Sequence, residues 1–237
     1  MPFFRLYDTC VELYKTSFYG RVMANFTNAR AFMKAEKIPD IIVGRLPVYL
    51  RALQRMADNG LKTTSSQELG EHVGISAAQI RKDISQFGDF GKQGTGYSIA
   101  YLLDKLREIL KVDRIWEVAL VGAGDMGHAL ARYQGFTNRG FHIVMVFDND
   151  KEKIGQKING FTIEDTEKMI ERLKSAGIKI AMLTVPAPAA QSVTDKLVQA
   201  GVKAILNYAP INLNVPNGVK VQYIDPSTHL QRMTYYL

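Results

Sequence analysis

A short apolar segment runs directly into closely spaced glycines near the middle of this chain. Residues 116–121 (WEVALV) have the composition of a buried parallel strand, and a GAGDMG segment follows at 122–127. A helical stretch at 129–133 and a second apolar run at 142–147 come next, so the sequence predicts a complete βαβ unit. Such a unit predicts an α/β class, with a Rossmann-like doubly wound parallel sheet over residues 116–224.

The glycines and one later carboxylate have separate expected roles. Gly122 permits the tight turn, Gly124 lets a pyrophosphate approach the backbone N–H groups at the helix N-terminus, and Gly127 lets the helix pack on the strand. Asp148 ends the second strand, 21 residues beyond Gly127, where its carboxylate can accept hydrogen bonds from the adenosine ribose of NAD. The same negative charge disfavours the additional phosphate of NADP, so the expected ligand is NADH or NAD+.

Further alternating patterns extend the sheet beyond this unit. We predict strands at 178–185, 203–207 and 220–224 and a helix at 188–200. Ligands of such sheets bind at the carboxyl ends of the strands, and two of these ends are expected to line the nicotinamide half of the cleft. The predicted cofactor-binding residues are Gly122, Ala123, Gly124, Asp125, Met126, Gly127, Asp148, Val185, Pro186 and Tyr208.

Two short predicted helices joined by Gly74 precede the sheet. Ser65 with Glu68 three residues later forms a capping box at the start of the first helix, and the second begins with the same spacing at 76–79. A tight glycine turn between two such helices is typical of a helix-turn-helix, whose second helix enters the DNA major groove. With its apolar stripe inward, this helix presents small, polar and cationic side chains outward. An ordinary helical hairpin with a solvated face is the alternative at this point.

The loop after these helices, 88–97, holds four glycines around Lys92. Glycine at this density permits a tight hairpin, and a hairpin after a helix-turn-helix is a wing whose tip lies in or beside the minor groove; a merely flexible loop is the alternative. Residues 38–115 are therefore predicted as a winged helix DNA-binding domain, with an amphipathic helix from Pro47 to Asn59. The predicted DNA-binding residues are Ser76, Ala78, Gln79, Arg81, Lys82, Ser85 and Lys92.

Composition and charge exclude several other classes of protein. The chain has 237 residues, of which 46% are hydrophobic and 22% charged, as in an ordinary globular protein, and its one cysteine, Cys10, cannot form an internal disulfide. No segment is apolar enough to span a bilayer, so we expect a cytoplasmic protein without a membrane anchor. The net charge of +7 is spread along the chain, so the prediction of DNA binding depends on the outward helix face.

The chain leaves little room for the second domain of an enzyme. A dehydrogenase needs a substrate domain and a general acid or base beside the nicotinamide, but after Tyr208 29 residues remain. The four histidines are interpreted as surface or packing residues, and no Cys, His and Asp cluster has metal spacing. The dinucleotide is therefore predicted to be an effector. A small NAD-dependent oxidoreductase and a coenzyme A or nucleotide-binding module are the alternatives.

Several longer motifs in this chain resemble the Rex family of redox-sensing transcriptional repressors. They extend over residues 38–237 and include GRLPVYLRAL, TSSQELGEHVGISAAQIRKDISQFGDFG, VALVGAGDMGHAL and ILNYAP. The resemblance implies a homodimer that binds a palindromic operator in double-stranded DNA through winged helices, with NADH weakening DNA binding and NAD+ permitting it. It also implies a polar set, Arg51, Tyr133 and Asp225, that links the cofactor to domain orientation.

Three parts of the chain differ from the family pattern. The wing of the family usually has an arginine before its second glycine, whereas here Gln93 follows Lys92. Pro226 follows Asp225 at a position where an aromatic residue near the nicotinamide can occur in the family. Residues 1–37 have no counterpart in the pattern and are treated as an N-terminal extension of unknown role.

The last residues, 225–237, predict a C-terminal dimerisation helix. Pro226 suits the first turn of a helix, and apolar residues then recur at helical spacing to the C-terminus. A helix of about a dozen residues is not stable alone, so it must pack on another surface. The family resemblance implies a domain-swapped position between the two domains of the partner subunit.

Overall fold

The computed structural model describes residues 38–92 and 96–237. The chain divides into two compact units, the first ending at Leu106 and the second running from Arg107 to Leu237. The predicted extension at 1–37, which includes Cys10, and Gln93 in the wing lie outside the described residues.

The first unit combines short helices with a small sheet. Helix α1 spans Asp40–Asp58, α2 Ser66–Val73 and α3 Ala77–Ser85, and α4, Ile99–Leu110, begins in this unit. Strands β1 (Thr63–Thr64), β2 (Gly91–Lys92) and β3 (Gly96–Ser98) pair antiparallel in the order β1-β3-β2. The β2–β3 hairpin after the helix pair is the predicted wing, so the winged helix-turn-helix is confirmed.

Local sequence signals set the geometry of α2 and α3. Ser65 and Glu68 form the predicted capping box, and Gly74 ends α2 in the left-handed conformation that favours glycine. At the start of α3 the capping box is incomplete. Ser76 accepts a hydrogen bond from the backbone of Gln79, but the Gln79 side chain donates to another residue of α3 rather than back to the cap.

Helix α1 is longer than the sequence predicted. It begins at Asp40, and Pro47 lies inside it rather than at its start. Proline has no N–H, so the carbonyl one turn earlier loses its helical hydrogen bond, at a cost of roughly 3 kcal/mol. Pro47 itself is exposed, and several apolar side chains on the opposite face stabilise the helix by about 1.5–3 kcal/mol each, which offsets that cost. The buried residues of α1 are Ile42, Leu46, Tyr49, Ala52, Leu53 and Met56.

The second unit is built on one large sheet. Its strands are β4 (Trp116–Val121), β5 (Phe141–Asp148), β6 (Lys157–Ile158), β7 (Phe161–Asp165), β8 (Ile180–Leu183), β9 (Ala204–Asn207) and β10 (Lys220–Tyr223), and its helices are α5 (Asp125–Arg132), α6 (Met169–Ala176), α7 (Ala187–Gln199) and α8 (Pro226–Thr234). A 3-10 helix spans Gln134–Arg139.

The order of strands in this sheet is β10-β9-β8-β4-β5-β7-β6. All pairs are parallel except β6–β7, which is an antiparallel hairpin. Numbered from β4, the six parallel strands follow the order 3-2-1-4-5-6 of the dinucleotide-binding Rossmann fold. The predicted doubly wound sheet is therefore confirmed.

Alternate residues of β4 belong to two hydrophobic clusters on opposite faces of the sheet. Ala119 and Val121 lie in one cluster with side chains of α6 and α7, while Val118 and Leu120 lie in the other with side chains of α5. Trp116 starts the strand, where its indole Nε1 donates to the carbonyl of Lys111 at 2.6 Å. Burial on both faces explains why β4 reads as a continuous apolar run.

The β6–β7 hairpin was not predicted. Each strand is short, and the turn between them is made by Asn159 and Gly160, both with positive φ. Asn159 also donates from Nδ2 to the carbonyl of Ala131 at 2.9 Å, which holds the hairpin against the end of α5.

Candidate functional site

The glycine loop between β4 and α5 has the geometry that its spacing predicted. Gly122 has a φ of +103°, and a Cβ there would lie 2.6 Å from the backbone oxygen of Thr184. A Cβ on Gly127 would overlap the carbonyl oxygen of Gly122, so α5 can pack this closely on β4 because residue 127 has no side chain. At Gly124 a Cβ would meet nothing within 4 Å, and this side of the loop is open.

The N-terminus of α5 lacks a side-chain cap. Gly124 occupies the N-cap position and makes no capping hydrogen bond, so the first N–H groups of the helix are left to water or a ligand. Asp125 and Met126 are exposed in this first turn, whereas Ala123 is buried. Backbone donors and the positive end of the helix dipole make this an anion-binding position, which fits the pyrophosphate of a dinucleotide.

Asp148 lies beside this loop, at the end of β5, and is 7% exposed. Its Oδ2 accepts a hydrogen bond from the backbone nitrogen of Ala123 at 2.6 Å, and its Oδ1 accepts one from that of Asp150 at 2.9 Å. The carboxylate therefore ties β5 to the glycine loop, a role that the sequence analysis did not predict. An ionised carboxylate offers about four lone pairs, so Asp148 retains capacity for a ribose hydroxyl.

A second carboxylate, in the loop that follows β5, was missed by the sequence analysis. Asp150 has a side chain that is 41% exposed, and its Oδ2 lies 3.5 Å from Nζ of Lys153. The same Nζ is 3.7 Å from Oδ2 of Asp148. The VFDND segment held the signal, since its two carboxylates are both close to the strand end.

The remaining predicted cofactor-binding residues follow the neighbouring strands at the same edge of the sheet. Val185 and Pro186 follow β8, where Val185 is half-buried and Pro186 is exposed. Tyr208 follows β9, and burial raises the pKa of its hydroxyl. Because β8 pairs with β4 and β9 pairs with β8, all in parallel, the structure brings these residues to the carboxyl edge that carries the glycine loop.

Two polar side chains that sequence analysis did not single out shape this edge. Thr184 donates from Oγ1 to the carbonyls of Val121 and Gly122, at 3.0 and 2.8 Å, and fixes the turn of the loop. Asn207 is buried and accepts a hydrogen bond from the backbone nitrogen of Ala209, so it holds the segment after β9. Thr184 directly precedes the predicted Val185 and Pro186, and Asn207 lies within the ILNYAP motif, which was the available signal.

Helix α3 places its predicted DNA-facing residues on an exposed face. Ile80 and Ile84 are buried, as predicted. Arg81 donates from Nη1 to Oγ of Ser66 at 2.8 Å, and Ser85 donates from Oγ to the backbone carbonyl of Lys82 at 2.9 Å. The exposed residues of this face are Ser76, Ala78, Arg81, Lys82, Ser85 and Gln86.

Gln79 and Lys92 stand apart from the others on this list. Gln79 is half-buried, and its Nε2 donates to Oδ1 of Asp83 at 2.6 Å, so one of its amide hydrogens is engaged within the helix. Lys92 is the last described residue of β2, where the backbone pairs with Gly96. The structure does not describe the side chain of Lys92, and its contact with DNA stays a prediction.

An open groove of about 470 Å³ lies between the start of α2, the exposed face of α3 and the wing. Ser66, Arg81 and Ser85 line one part of it, and Gly91 and Tyr97 line another. The carboxylate of Asp89 also lines this groove, whereas its hydroxyl groups and guanidinium suit the phosphates of a DNA backbone, which hold a protein in register on the duplex.

The three residues of the predicted coupling set lie in both units. Arg51 is exposed on α1 of the first unit. In the second unit, the Tyr133 hydroxyl at the end of α5 accepts a hydrogen bond from Nη1 of Arg139 at 3.2 Å. Asp225 caps α8, and hydrogen bonds from the hydroxyl and the backbone N–H of Ser227 lower the pKa of its carboxyl. Their joint role stays a prediction.

Metal-ligating clusters and membrane-spanning helices are both absent from residues 38–92 and 96–237. This part of the chain brings together no group of three or more His, Cys, Asp and Glu side chains that could hold a metal ion. None of its helices has the length and apolar character needed to cross a membrane.

Curated relatives decide the family. A redox-sensing transcriptional repressor Rex from Roseiflexus sp. (strain RS-1) is 49% identical over 204 residues, which cover 86% of this chain and 93% of the relative. The Rex protein of Chloroflexus aurantiacus is 51% identical over 199 residues, covering 84% of this chain and 94% of the relative. This chain belongs to the Rex family. The relatives are named as transcriptional repressors, which confirms the prediction of a regulator rather than an enzyme.

Solved structures of a Rex-family repressor called RSP agree with this assignment. The complex of RSP with β-NAD+ and operator DNA has a TM-score of 0.80 and 37% identity, covering 84% of this chain and 92% of RSP. The complex with β-NADH has a TM-score of 0.78 and 34% identity, covering 84% of this chain and 94% of RSP. In RSP, therefore, one Rex fold accepts the oxidised dinucleotide with operator DNA, and also the reduced one.

Two family models match successive parts of the Rex chain. One, described as a putative DNA-binding protein N-terminus, matches residues 37–85, which include α2 and α3. The other, described as a CoA binding domain, matches residues 113–211, which include the glycine loop. The description of the second model corresponds to one alternative from the sequence analysis, a coenzyme A or nucleotide-binding module. Its match agrees with the Rossmann-like fold, while the ligands held in the RSP complexes are NAD+ and NADH.

Proposed function

We propose that this Rex-family chain is a transcriptional repressor that senses the ratio of NADH to NAD+, binds operator DNA as a homodimer and leaves it when NADH binds. One observation carries the proposal. A single chain joins a glycine loop that is open at Gly124 to a winged helix that exposes Arg81 and Lys82 on α3. The ligand site and the DNA-facing helix of a ligand-controlled repressor are thus in one molecule.

The proposal assigns a task to each part of the chain. Residues 38–115 form the winged helix DNA-binding domain, 116–224 form the domain that binds NAD(H), and 225–237 form a domain-swapped dimerisation helix. The exposed apolar side chains of α8 and of the three residues after it support the last assignment, because a helix this short with such a surface needs a partner. These side chains, from 61% to 105% exposed, are Leu230, Met233, Tyr235, Tyr236 and Leu237.

Within the second domain, this chain holds the dinucleotide at the carboxyl edge of the sheet. The backbone of residues 122–127 binds the pyrophosphate, Asp148 accepts hydrogen bonds from the adenosine ribose, and Val185, Pro186 and Tyr208 line the nicotinamide half. Dinucleotide binding favours one arrangement of the two domains, and Arg51, Tyr133 and Asp225 transmit that preference. Such a repressor acts on DNA in the cytoplasm, where the NADH pool is sensed directly.

On DNA, α3 enters the major groove. Ser76, Ala78, Gln79, Arg81, Lys82 and Ser85 contact bases or phosphates, and Lys92 of the wing adds a phosphate or minor-groove contact. Two such helices in a homodimer read the two halves of a palindrome, so the operator is expected to be a pseudo-palindrome with half-sites about one helical turn apart.

Calorimetric titration of the purified full chain with NADH, NAD+, NADPH and coenzyme A tests the ligand. We expect NADH to bind most tightly, NAD+ more weakly, and NADPH and coenzyme A least. The response of DNA binding to NADH is tested with a duplex that the chain selects from a randomised DNA library. Added NADH should release the chain from this duplex. Coenzyme A binding tighter than NADH, or a selected duplex that NADH does not release, would contradict the proposal.

A further inference from the structure

A charged carboxylate is fully buried in α3, on the side of the helix that packs against the protein. Asp83 is 0% exposed and lies between the buried apolar residues of this helix. From α1, Arg45 donates to it from Nε at 2.6 Å and from Nη2 at 2.8 Å, and Tyr49 donates from its hydroxyl at 2.6 Å. Gln79 of α3 adds a fourth hydrogen bond, at 2.6 Å. These donors fill the acceptor positions that a carboxylate offers.

The network holds a charge rather than a neutral acid. Burial alone would raise the pKa of Asp83, but the hydrogen bonds from Arg45, Tyr49 and Gln79 outweigh it, so the pKa of this carboxyl is lowered. Burial and the bond to Asp83 raise the pKa of Tyr49, so the phenol stays protonated and keeps donating. The set therefore persists at neutral pH.

Stability is a poor explanation for such a network. A buried ion pair loses so much hydration that an apolar group of the same volume often stabilises a protein equally well or better. Geometry is the better explanation. A bidentate pair of guanidinium and carboxylate is directional and fixes the position of both groups, whereas the apolar contacts of the buried Ile80 and Ile84 are non-directional and constrain the rotation of α3 less tightly.

We propose that Asp83 is a positioning residue that fixes the rotation of α3 against α1 and so decides which side chains reach the base edges of the operator. This inference rests on the proposed DNA-binding role of α3. Asp83 directly follows Lys82 in the helix. A rotation of α3 that broke the hydrogen bonds between Asp83 and Arg45 would therefore turn Arg81 and Lys82 by the same angle.

The hydrogen bond to Asp83 also fixes the orientation of the Gln79 side chain. Its Nε2 is held by Oδ1 of Asp83, which leaves the carbonyl oxygen and one amide hydrogen for DNA. The side chain is therefore presented in one orientation before DNA arrives. Preorganised contacts of this kind raise discrimination, because a base pair of the wrong type meets a group that is not free to adapt.

Asp83→Asn tests the inference, because asparagine keeps the shape but puts an amide where the guanidinium needs an acceptor. The full chain is used, and the readout is the ratio of its affinities for the library-selected duplex and for a scrambled duplex of equal length, at one salt concentration. We expect this ratio to fall by about tenfold or more, while the affinity for the scrambled duplex and for NADH stays unchanged.

Leu102→Ala is the matched control, because Leu102 is fully buried in α4 and outside the network. It should lower the unfolding temperature without lowering the ratio. If Asp83→Asn does not fold, the same affinity ratio is measured for Arg45→Lys and Tyr49→Phe. Each of these variants removes hydrogen-bond donors to Asp83 while keeping its carboxylate.

Three results would separate the possible failures. An unchanged ratio in folded Asp83→Asn, Arg45→Lys and Tyr49→Phe makes the network merely structural and overturns the inference. An equal fall in Leu102→Ala does the same, because loss of stability would then explain the change. A wild-type chain that selects no duplex from the library contradicts the proposed function itself.

Discussion

The side chains of α3 divide into two groups by the direction in which they point. Lys82 is exposed, and none of the described residues pairs with its ammonium, whereas Asp83 beside it is buried and fully hydrogen-bonded. Neighbours in the sequence thus point in opposite directions, Lys82 toward the solvent side on which we propose that DNA binds and Asp83 toward the protein. The helical period of 3.6 residues makes this division possible over nine residues.

Lys82→Ala should weaken binding of the library-selected duplex by about 1–3 kcal/mol, because an exposed cation on the recognition helix is lost. Fluorescence anisotropy at one fixed salt concentration measures it, with Lys174→Ala, on the exposed side of α6, as the control. Repeating the titration over several salt concentrations distinguishes a contact of Lys82 with a base from a contact with a phosphate. Loss of a phosphate contact lowers the slope of log affinity against log salt concentration by about one. Equal affinities of wild type and Lys82→Ala would remove α3 from the interface.

Asp148→Ala should narrow the preference for NADH over NADPH, because it removes a ribose acceptor and a charge that repels the additional phosphate. Both affinities should also fall, since Asp148 holds the backbone of Ala123 in the loop. Calorimetric titration of each variant with both dinucleotides gives the ratio, and Asp150→Ala is the matched comparison. A ratio that narrows in Asp150→Ala alone would move the ribose contact to that residue.

Gly124→Ala and Gly127→Ala distinguish the contribution of the glycine loop to NADH binding from its contribution to the stability of the fold. A methyl group on Gly127 would overlap the Gly122 carbonyl, so we expect a loss of about 1–3 kcal/mol in the free energy of unfolding. A methyl group on Gly124 has open space, so stability should stay near that of the wild type while NADH affinity falls. Denaturant unfolding and calorimetry measure the two effects. Unchanged NADH affinity in Gly124→Ala would place the pyrophosphate elsewhere.

Helices and strands show which signals in the sequence are decisive. The capping box at Ser65 and the apolar run at 116–121 predicted α2 and β4, because each is a local pattern with one physical cause. The start of α1 was wrong because the burial of side chains around Pro47 depends on tertiary packing, which no local pattern contains. Asp83 was missed for the same reason, since three of its four hydrogen bonds come from Arg45 and Tyr49 on another helix, 38 and 34 residues earlier.

Helix α8 is predicted to be required for dimer formation. Deleting residues 228–237 should give monomers or weak dimers with poor operator binding, because the exposed apolar end of the chain is the proposed dimer contact. The glycine loop is intact in this variant, so NADH should still bind, at reduced affinity. Sedimentation velocity and calorimetry measure these properties. A full dimer whose operator binding still responds to NADH would show that α8 is not the coupling element.

In the whole molecule, the DNA-binding unit and the dinucleotide-binding unit are linked thermodynamically. If NADH favours an arrangement of the dimer that operator DNA disfavours, each ligand shifts the same equilibrium in opposite directions. Moving most molecules from one arrangement to the other needs a difference in binding free energy of about 5 kcal/mol, shared over the two sites of a dimer.

This linkage makes a quantitative prediction. The factor by which saturating NADH weakens operator binding must equal the product of the factors by which saturating operator weakens the binding of the two NADH molecules of a dimer. Anisotropy titrations with and without NADH, and NADH titrations with and without the duplex, provide both factors. The Gly124→Ala variant is the control, because its operator affinity should respond to NADH only at higher concentrations. A factor of one in both directions would contradict ligand control of DNA binding.

Trp116 gives the protein a built-in optical reporter. It is the single tryptophan of the sequence and lies at the start of β4, whereas the glycine loop follows the far end of the same strand of six residues. At a rise of about 3.3 Å per residue, the indole and the loop are roughly 20 Å apart, too far for contact but within range of resonance energy transfer. Reduced nicotinamide absorbs where indole emits and oxidised nicotinamide does not. Because the chain also has 11 tyrosines, excitation at the long-wavelength edge of indole absorption, where tyrosine does not absorb, is needed. The quenching of this one emitter in the unlabelled chain then distinguishes the two redox forms of its ligand.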